Sequence, residues 1–133
     1  MNLKKILKDH AKWLASQGKE GKQANFYETE LVGVDLSGTI LCRANFRLAN
    51  LRCADLSGAD LSGAHFFGVN LRYANLQWAD LYRANFAEAD LSYADLKGAI
   101  LQEANLTNVD LSKTIILEAS FKDAIMVNTR FHP

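Results

Sequence analysis

From Ala24 onward the chain repeats itself in rows of five, and the frame does not slip. Written in fives it reads ANFYE, TELVG, VDLSG, TILCR, ANFRL, ANLRC, ADLSG, ADLSG, AHFFG, VNLRY and onward to TRFHP. The third residue of each row, the centre, is apolar in all 22 rows, from Phe26 to Phe131. The first residue is small in all 22: 15 Ala, 4 Thr and 3 Val. The second is Asp or Asn in 14 of the 22. Self-similarity at a fixed period is the mark of a repeat architecture and constrains the fold more than any local propensity.

Five is not a helical period, because a helix turns about every 3.6 residues. It is not a plain alternating strand either. A small and a large apolar residue two apart have strand spacing, with both on one side. The geometry that follows is a short extended piece with its first and third residues inward, then a corner. Corners in every row wind the chain into a coil, and each coil must stack on the next to bury its interior. Phe26, Phe46, Phe66 and Phe86 recur in every fourth row, and Leu106 and Met126 continue the column. Four rows therefore close one coil, and each coil has four sides. Stacked columns place the rings one above another at the strand spacing of ~4.8 Å. The 22 rows make about five and a half coils. Ala beside each centre leaves room where four large side chains meet; a larger residue would overpack the middle. Gly33, Gly38, Gly58, Gly63, Gly68 and Gly98 fill the fifth place, where a type II turn needs φ > 0. Tyr73, Trp78 and Arg83 stand in the same place elsewhere, and for those corners a second turn type is expected.

The rows ANLRC, ADLSG, ANLQW, ADLYR, ADLKG and ANLTN resemble the A(D/N)LXX signature of the pentapeptide-repeat family, over residues 24–133. The resemblance implies an all-β fold, a right-handed quadrilateral parallel β-helix. It implies no common activity. A minority of the family look like rods of B-form DNA and bind DNA gyrase. A DNA-mimic needs a strongly negative surface to stand in for phosphate. Residues 24–133 carry only net −4, with nine Lys or Arg interspersed. Gyrase binding is therefore the alternative reading. The primary one is a non-enzymatic binding or scaffold protein that contacts an unidentified protein partner.

Composition narrows the classes further. The 133 residues hold 15 Lys+Arg and 15 Asp+Glu, a formal net charge of zero, which argues against a nucleic-acid binder. No apolar run approaches the ~18 residues that span a membrane. The N-terminal stretch MNLKKILKDHAKWLASQ breaks any signal-peptide core with Asp9, His10 and Lys12, so the cytoplasm is expected. Two cysteines, Cys42 and Cys53, are too few for a zinc site, and the four-sided scheme puts them on opposite faces, unfit for a disulfide. No metal, cofactor or catalytic residue is expected.

Solenoids expose their core at the ends unless capped. Residues 1–23 form the expected N-terminal cap and linker. Leu3, Ile6, Leu7, His10, Ala11 and Leu14 share one helical face over residues 3–17, with Trp13 at its edge. Lys4, Lys5, Lys8 and Lys12 lie mostly on the other face, Asn2 is a fair N-cap and Gly18 a fair stop. A membrane-surface helix would read similarly, but an uncapped first coil would expose Phe26. No helix follows the last rows. There Ile115, Leu117, Ile125 and Val127 take outward places near Phe131, which predicts self-association into a homodimer. Closure of that end by Pro133 and local packing is the alternative.

Several groups invite a chemical reading. Asp35, Asp55 and Asp95 share a face with Asn75 between them, yet Asp and Asn at this place go all round the coil and read as turn formers. His65, beside outward Phe67, is a lone histidine. Arg52 and Arg72 stack in one column, Tyr73 and Tyr93 in the next, and residues of these types dominate interface hot spots. This strip is the candidate protein-binding site; Trp78, Tyr82 and Arg83 form a second exposed group.

Overall fold

A computed structural model describes residues 1–132; Pro133, and with it the suggested closure of the C-terminal end, lies outside the described residues. One helix, α1 (Leu3–Ala15), precedes a coil in which the rows pair in parallel with the fourth row after them, from Asn25 with Asn45 to Asp110 with Arg130, with one interruption at Asp90. The four-sided winding is thus observed directly in the backbone pairing. We number the faces by their opening rows: first (Ala24), second (Thr29), third (Val34) and fourth (Thr39).

Each row is too short for a strand of its own and is held by a fixed set of bonds. Phe46 N–H donates to His65 O (2.8 Å), and His65 N–H donates back to Ala44 O (3.0 Å). Leu48 N–H donates to Phe67 O (2.9 Å), and at the corner Ala49 N–H donates to Phe46 O (3.0 Å). The same four bonds recur down the coil. All fourteen second-place Asp and Asn residues accept, through Oδ1, the N–H of the residue two later, at 2.9–3.2 Å. Asp55, for example, takes Ser57 N–H at 3.0 Å and Ser57 Oγ–H at 2.6 Å. These carboxylates and amides hold turns, as expected for Asp35, Asp55 and Asp95, because the short side chain satisfies a corner N–H that the ladder cannot reach.

One expectation is corrected at the corners. At every described corner but that of Lys113 the fifth residue has positive φ, whether or not it is glycine: Gly58 and Gly63 at 65°, Tyr73 and Trp78 at 60°, Arg83 at 56°. A bulky fifth residue does not by itself change the sign of φ; Lys113, where the ladder is interrupted, is the exception among the described residues. The next first-place N–H must reach the preceding centre's carbonyl, and the centre after it must re-enter the interior. Stacking on neighbouring coils imposes that geometry on L-residues that would otherwise avoid it at ~1–2 kcal/mol each.

The interior is a solid column. Centres and first-place residues are buried from Ala24 to Leu111, apart from a few first-place residues of the opening coil. Phe26, Phe46, Phe66 and Phe86 stack with centroids 4.9, 5.0 and 4.7 Å apart, the last pair within 1° of parallel. These separations are the strand spacing itself. Among the described residues no buried side-chain nitrogen or oxygen lacks a partner.

α1 closes the first coil. Asn2 Oδ1 accepts Lys5 N–H (3.0 Å) as N-cap, and Leu3, Ile6 and Leu7 pack against the core. The helix ends at Ala15, short of the expected 17, with Gln17 and then Gly18 at positive φ. Ala11 is exposed, contrary to the face drawn from spacing, while Trp13 is half-buried with its ring on His10 (5.5 Å). The chain then crosses back over α1 at Gly21 (φ 71°), where a Cβ would lie 2.2 Å from Asp9 O. At the other end burial fails. Ile116, Phe121 and Met126 are half-buried and Phe131 is exposed, with Phe121 and Phe131 meeting edge to face.

Candidate protein-binding strip

Arg52, Arg72, Tyr73 and Tyr93 belong to successive rows of the second face and its corner. The coil brings all four together. Because Tyr73 and Tyr93 are four rows apart at corners of like φ (60° and 62°), their rings stack at 5.1 Å and 9°. The Arg52 guanidinium lies 5.2 Å from the Tyr73 centroid, and that of Arg72 lies 5.8 and 5.9 Å from Tyr73 and Tyr93. The tyrosines are 46% and 45% exposed, so the stack faces solvent. Each cation rests on a π face, a contact worth about 0.5–1 kcal/mol at an exposed site, which orders otherwise mobile side chains.

Two members were not read from the sequence. Lys113 continues the tyrosine column, its Nζ 5.7 Å from the Tyr93 ring. Counting four rows on from Tyr93 reaches it, so the column rule contained the signal. Asp90 faces Arg72 (3.4 Å). Burial raises the Asp90 pKa, but bonds from Ser92 and the Arg72 guanidinium outweigh it and hold the carboxyl below its ordinary value. The regular ladder is interrupted beneath the strip: Tyr93 N–H donates to Lys113 O (2.9 Å), and Asp90 does not pair with Asp110 among the described residues. Thr114 Oγ1 donates to Leu91 O (2.9 Å) there.

The other candidates are placed as follows. Trp78 lies flat over Gly98, whose Cβ would sit 2.2 Å from the indole, and Arg83 bridges to Glu103 (3.3 Å) beside Tyr82. Ile115, Leu117, Ile125 and Val127 are outward and 49–61% exposed, beside the open last coil. Tyr27, Arg47, Leu48 and Phe67 line a shallow depression on the first face, a grouping not read from the sequence although Tyr27, Arg47 and Phe67 share one column. His65 is exposed near Arg47, and Cys42 and Cys53 are free thiols. Burial and Asp60 push the Cys42 thiol up, away from reactivity. Among the described residues no His, Cys, Asp and Glu cluster could hold a metal, and no helix is long and apolar enough to cross a membrane.

Comparison with known proteins agrees with this architecture. No curated protein matches the sequence significantly. A pentapeptide repeat protein from the Arabidopsis thaliana thylakoid lumen is 36% identical, over 74% of this chain and 69% of its own, with a TM-score of 0.73. Rfr23, a pentapeptide repeat protein of the cyanobacterium Cyanothece 51142, is 26% identical over 94% and 99% of the two chains, with a TM-score of 0.79. A pentapeptide repeat protein of Nostoc PCC 7120, 23% identical over 93% of each chain at a TM-score of 0.54, shares the fold. The model for pentapeptide repeats matches in eight copies over residues 29–66, 49–86, 79–116 and 89–128. With that match over most of its length and the four-row coil observed in its backbone, the chain belongs to the pentapeptide repeat family.

Proposed function

We propose that this chain is a non-enzymatic binding protein whose second face docks a protein partner through Arg52, Arg72, Tyr73 and Tyr93, with Lys113 extending the strip. The supporting observation is the solvent-facing ladder in which guanidinium groups and tyrosine rings hold one another in place. Pre-ordered Arg and Tyr lose little rotamer freedom on binding, which is where affinity is usually lost. The interior is filled, so the rod offers a surface and not a cleft for chemistry. The strip's cations are the opposite of a phosphate-mimicking surface, which favours this reading over gyrase binding. The coil is taken as right-handed, as in the family. Its free thiols fit a reducing compartment such as the cytoplasm. The half-buried last coil, with Ile115, Leu117, Ile125, Val127 and Phe131, is taken as the surface of a homodimer.

The test is affinity capture from the source cell's lysate with wild type and with the Arg52→Ala, Arg72→Ala, Tyr73→Ala, Tyr93→Ala variant. All four side chains point outward, so the variant keeps its core, which thermal melting checks. A partner retained by wild type and lost by the variant supports the strip. Equal capture by both retires it.

A further inference from the structure

We propose that His10 is a proton-sensitive latch that holds the capping helix on the first coil and releases it when the imidazole gains a proton. The ring is fully buried and uses both nitrogens on backbone of the coil. Ala24 N–H donates to Nδ1 (2.9 Å), and Nε2 lies 2.9 Å from Cys42 O. Nδ1 must therefore carry the lone pair and Nε2 the hydrogen. Only the neutral Nε2–H tautomer satisfies both bonds.

The two partners are not arbitrary. In interior coils each first-place N–H donates to the centre of the preceding row, as Ala44 does to Leu41 O. Each fourth-place carbonyl accepts the fifth-place N–H of the coil before it, as Ser62 O does from Arg43. Ala24 N–H and Cys42 O are the first-coil counterparts of these groups, and α1 with its linker stands among the described residues where an earlier coil would serve them. One imidazole replaces both missing bonds. No other side chain of α1 bonds to the coil's backbone among the described residues. The remaining attachments are the apolar contact of Leu3, Ile6 and Leu7 and the Arg43 guanidinium on the Trp13 ring.

A proton on Nδ1 turns an acceptor into a donor facing another donor, Ala24 N–H, inside a buried site. A buried donor left without an acceptor loses the hydrogen bond and its hydration together, and the loss is greater when the group is charged. No neighbour offsets that charge. On α1, Asp9 is held by Lys5 (2.7 Å), and the Trp13 face already carries the Arg43 guanidinium at 4.8 Å. Lys22 in the linker and Arg43 on the coil are cations, and the Cys42 thiol is kept neutral by burial. Burial, the largest cause, lowers the His10 pKa from 6.5; the bond to Cys42 O pulls it back by less, and Arg43 lowers it further. Because the docked ring has the lower pKa, the undocked state binds more protons. Docking is complete above pH 6.5 and weakens as pH falls from there toward the docked pKa. Release exposes the first-coil edge around Phe26, and acid opens an end that is closed at neutral pH.

The test is amide exchange and His10 ring-nitrogen shifts by NMR, on the full chain between about pH 7.5 and 4.5, a window set by histidine titration. The expected result is an Nε2–H tautomer at the upper limit. Below pH 6.5 the Ala24 protection factor should then fall about tenfold per pH unit, one proton per opening, down to the docked pKa. Interior amides such as Leu61 should keep their protection. His10→Gln should show no such slope, whether or not its helix docks. The proposal is overturned if the ring protonates without loss of Ala24 protection, if it stays neutral until the whole chain unfolds, or if His10→Gln keeps the slope.

Discussion

Replacing Phe66 by alanine removes a ring that is 0% exposed and sandwiched between Phe46 at 5.0 Å and Phe86 at 4.7 Å. Truncating a buried phenylalanine typically costs roughly 3–5 kcal/mol, about 4 here, because the lost transfer energy is joined by the cavity left behind. The cavity cannot collapse. The coil's cross-section is set by backbone bonds such as Phe66 N–H to Asn85 O (2.7 Å), and neighbouring rings are locked at the ladder spacing. Phe66→Leu gives the scale of the stacking itself. Leucine already fills this column at Leu106, equally buried, so the coil accepts it. What it loses is part of the ring's area and two stacked contacts of ~0.5 kcal/mol or more each, about 1–2 kcal/mol together. Urea unfolding should shift its midpoint by these amounts at constant slope. If Phe66→Ala costs less than about 2 kcal/mol, or if leucine is as costly as alanine, the rigid-column argument fails.

Two further perturbations probe the ends and the corners. Gly21→Ala forces a Cβ to 2.2 Å from Asp9 O and 2.8 Å from Trp13 N at φ 71°, and should cost ~2–4 kcal/mol by urea unfolding. Gly38→Ala, with nothing within 4 Å of the new carbon, should cost only the ~1–2 kcal/mol of a left-handed alanine; equal costs would refute the close-approach account of Gly21. Light scattering should give the wild type about twice its 14.8 kDa chain mass, and Ile125→Glu with Val127→Glu should restore the single mass. A wild type that stays at 14.8 kDa at every concentration would sink the dimer.

The legible part of this protein lies where one side chain meets its own kind again in every fourth row. Phe46, Phe66 and Phe86 announce the four-sided coil, and Tyr73 above Tyr93 announces the stacked strip, because periodicity turns sequence distance into spatial distance. Lys113 was readable by the same count. Three features left no signal in residue type, and only the tertiary structure decided them. The bulky corners at Tyr73, Trp78 and Arg83 adopt left-handed backbone because adjacent coils impose it, against local preference. Asp90 takes Arg72 across neighbouring coils of one face, a pairing that depends on where two flexible chains end. His10 reads as one more residue on an apolar helical face. Its hydrogen bonds to Ala24 and Cys42 exist because the helix crosses the first coil at one angle, set by Gly21 and the packing of Leu3, Ile6 and Leu7. A repeat determines what stacks on it from within, whereas the contact between the repeat and the segment that ends it is made once, and a single contact leaves no pattern in sequence.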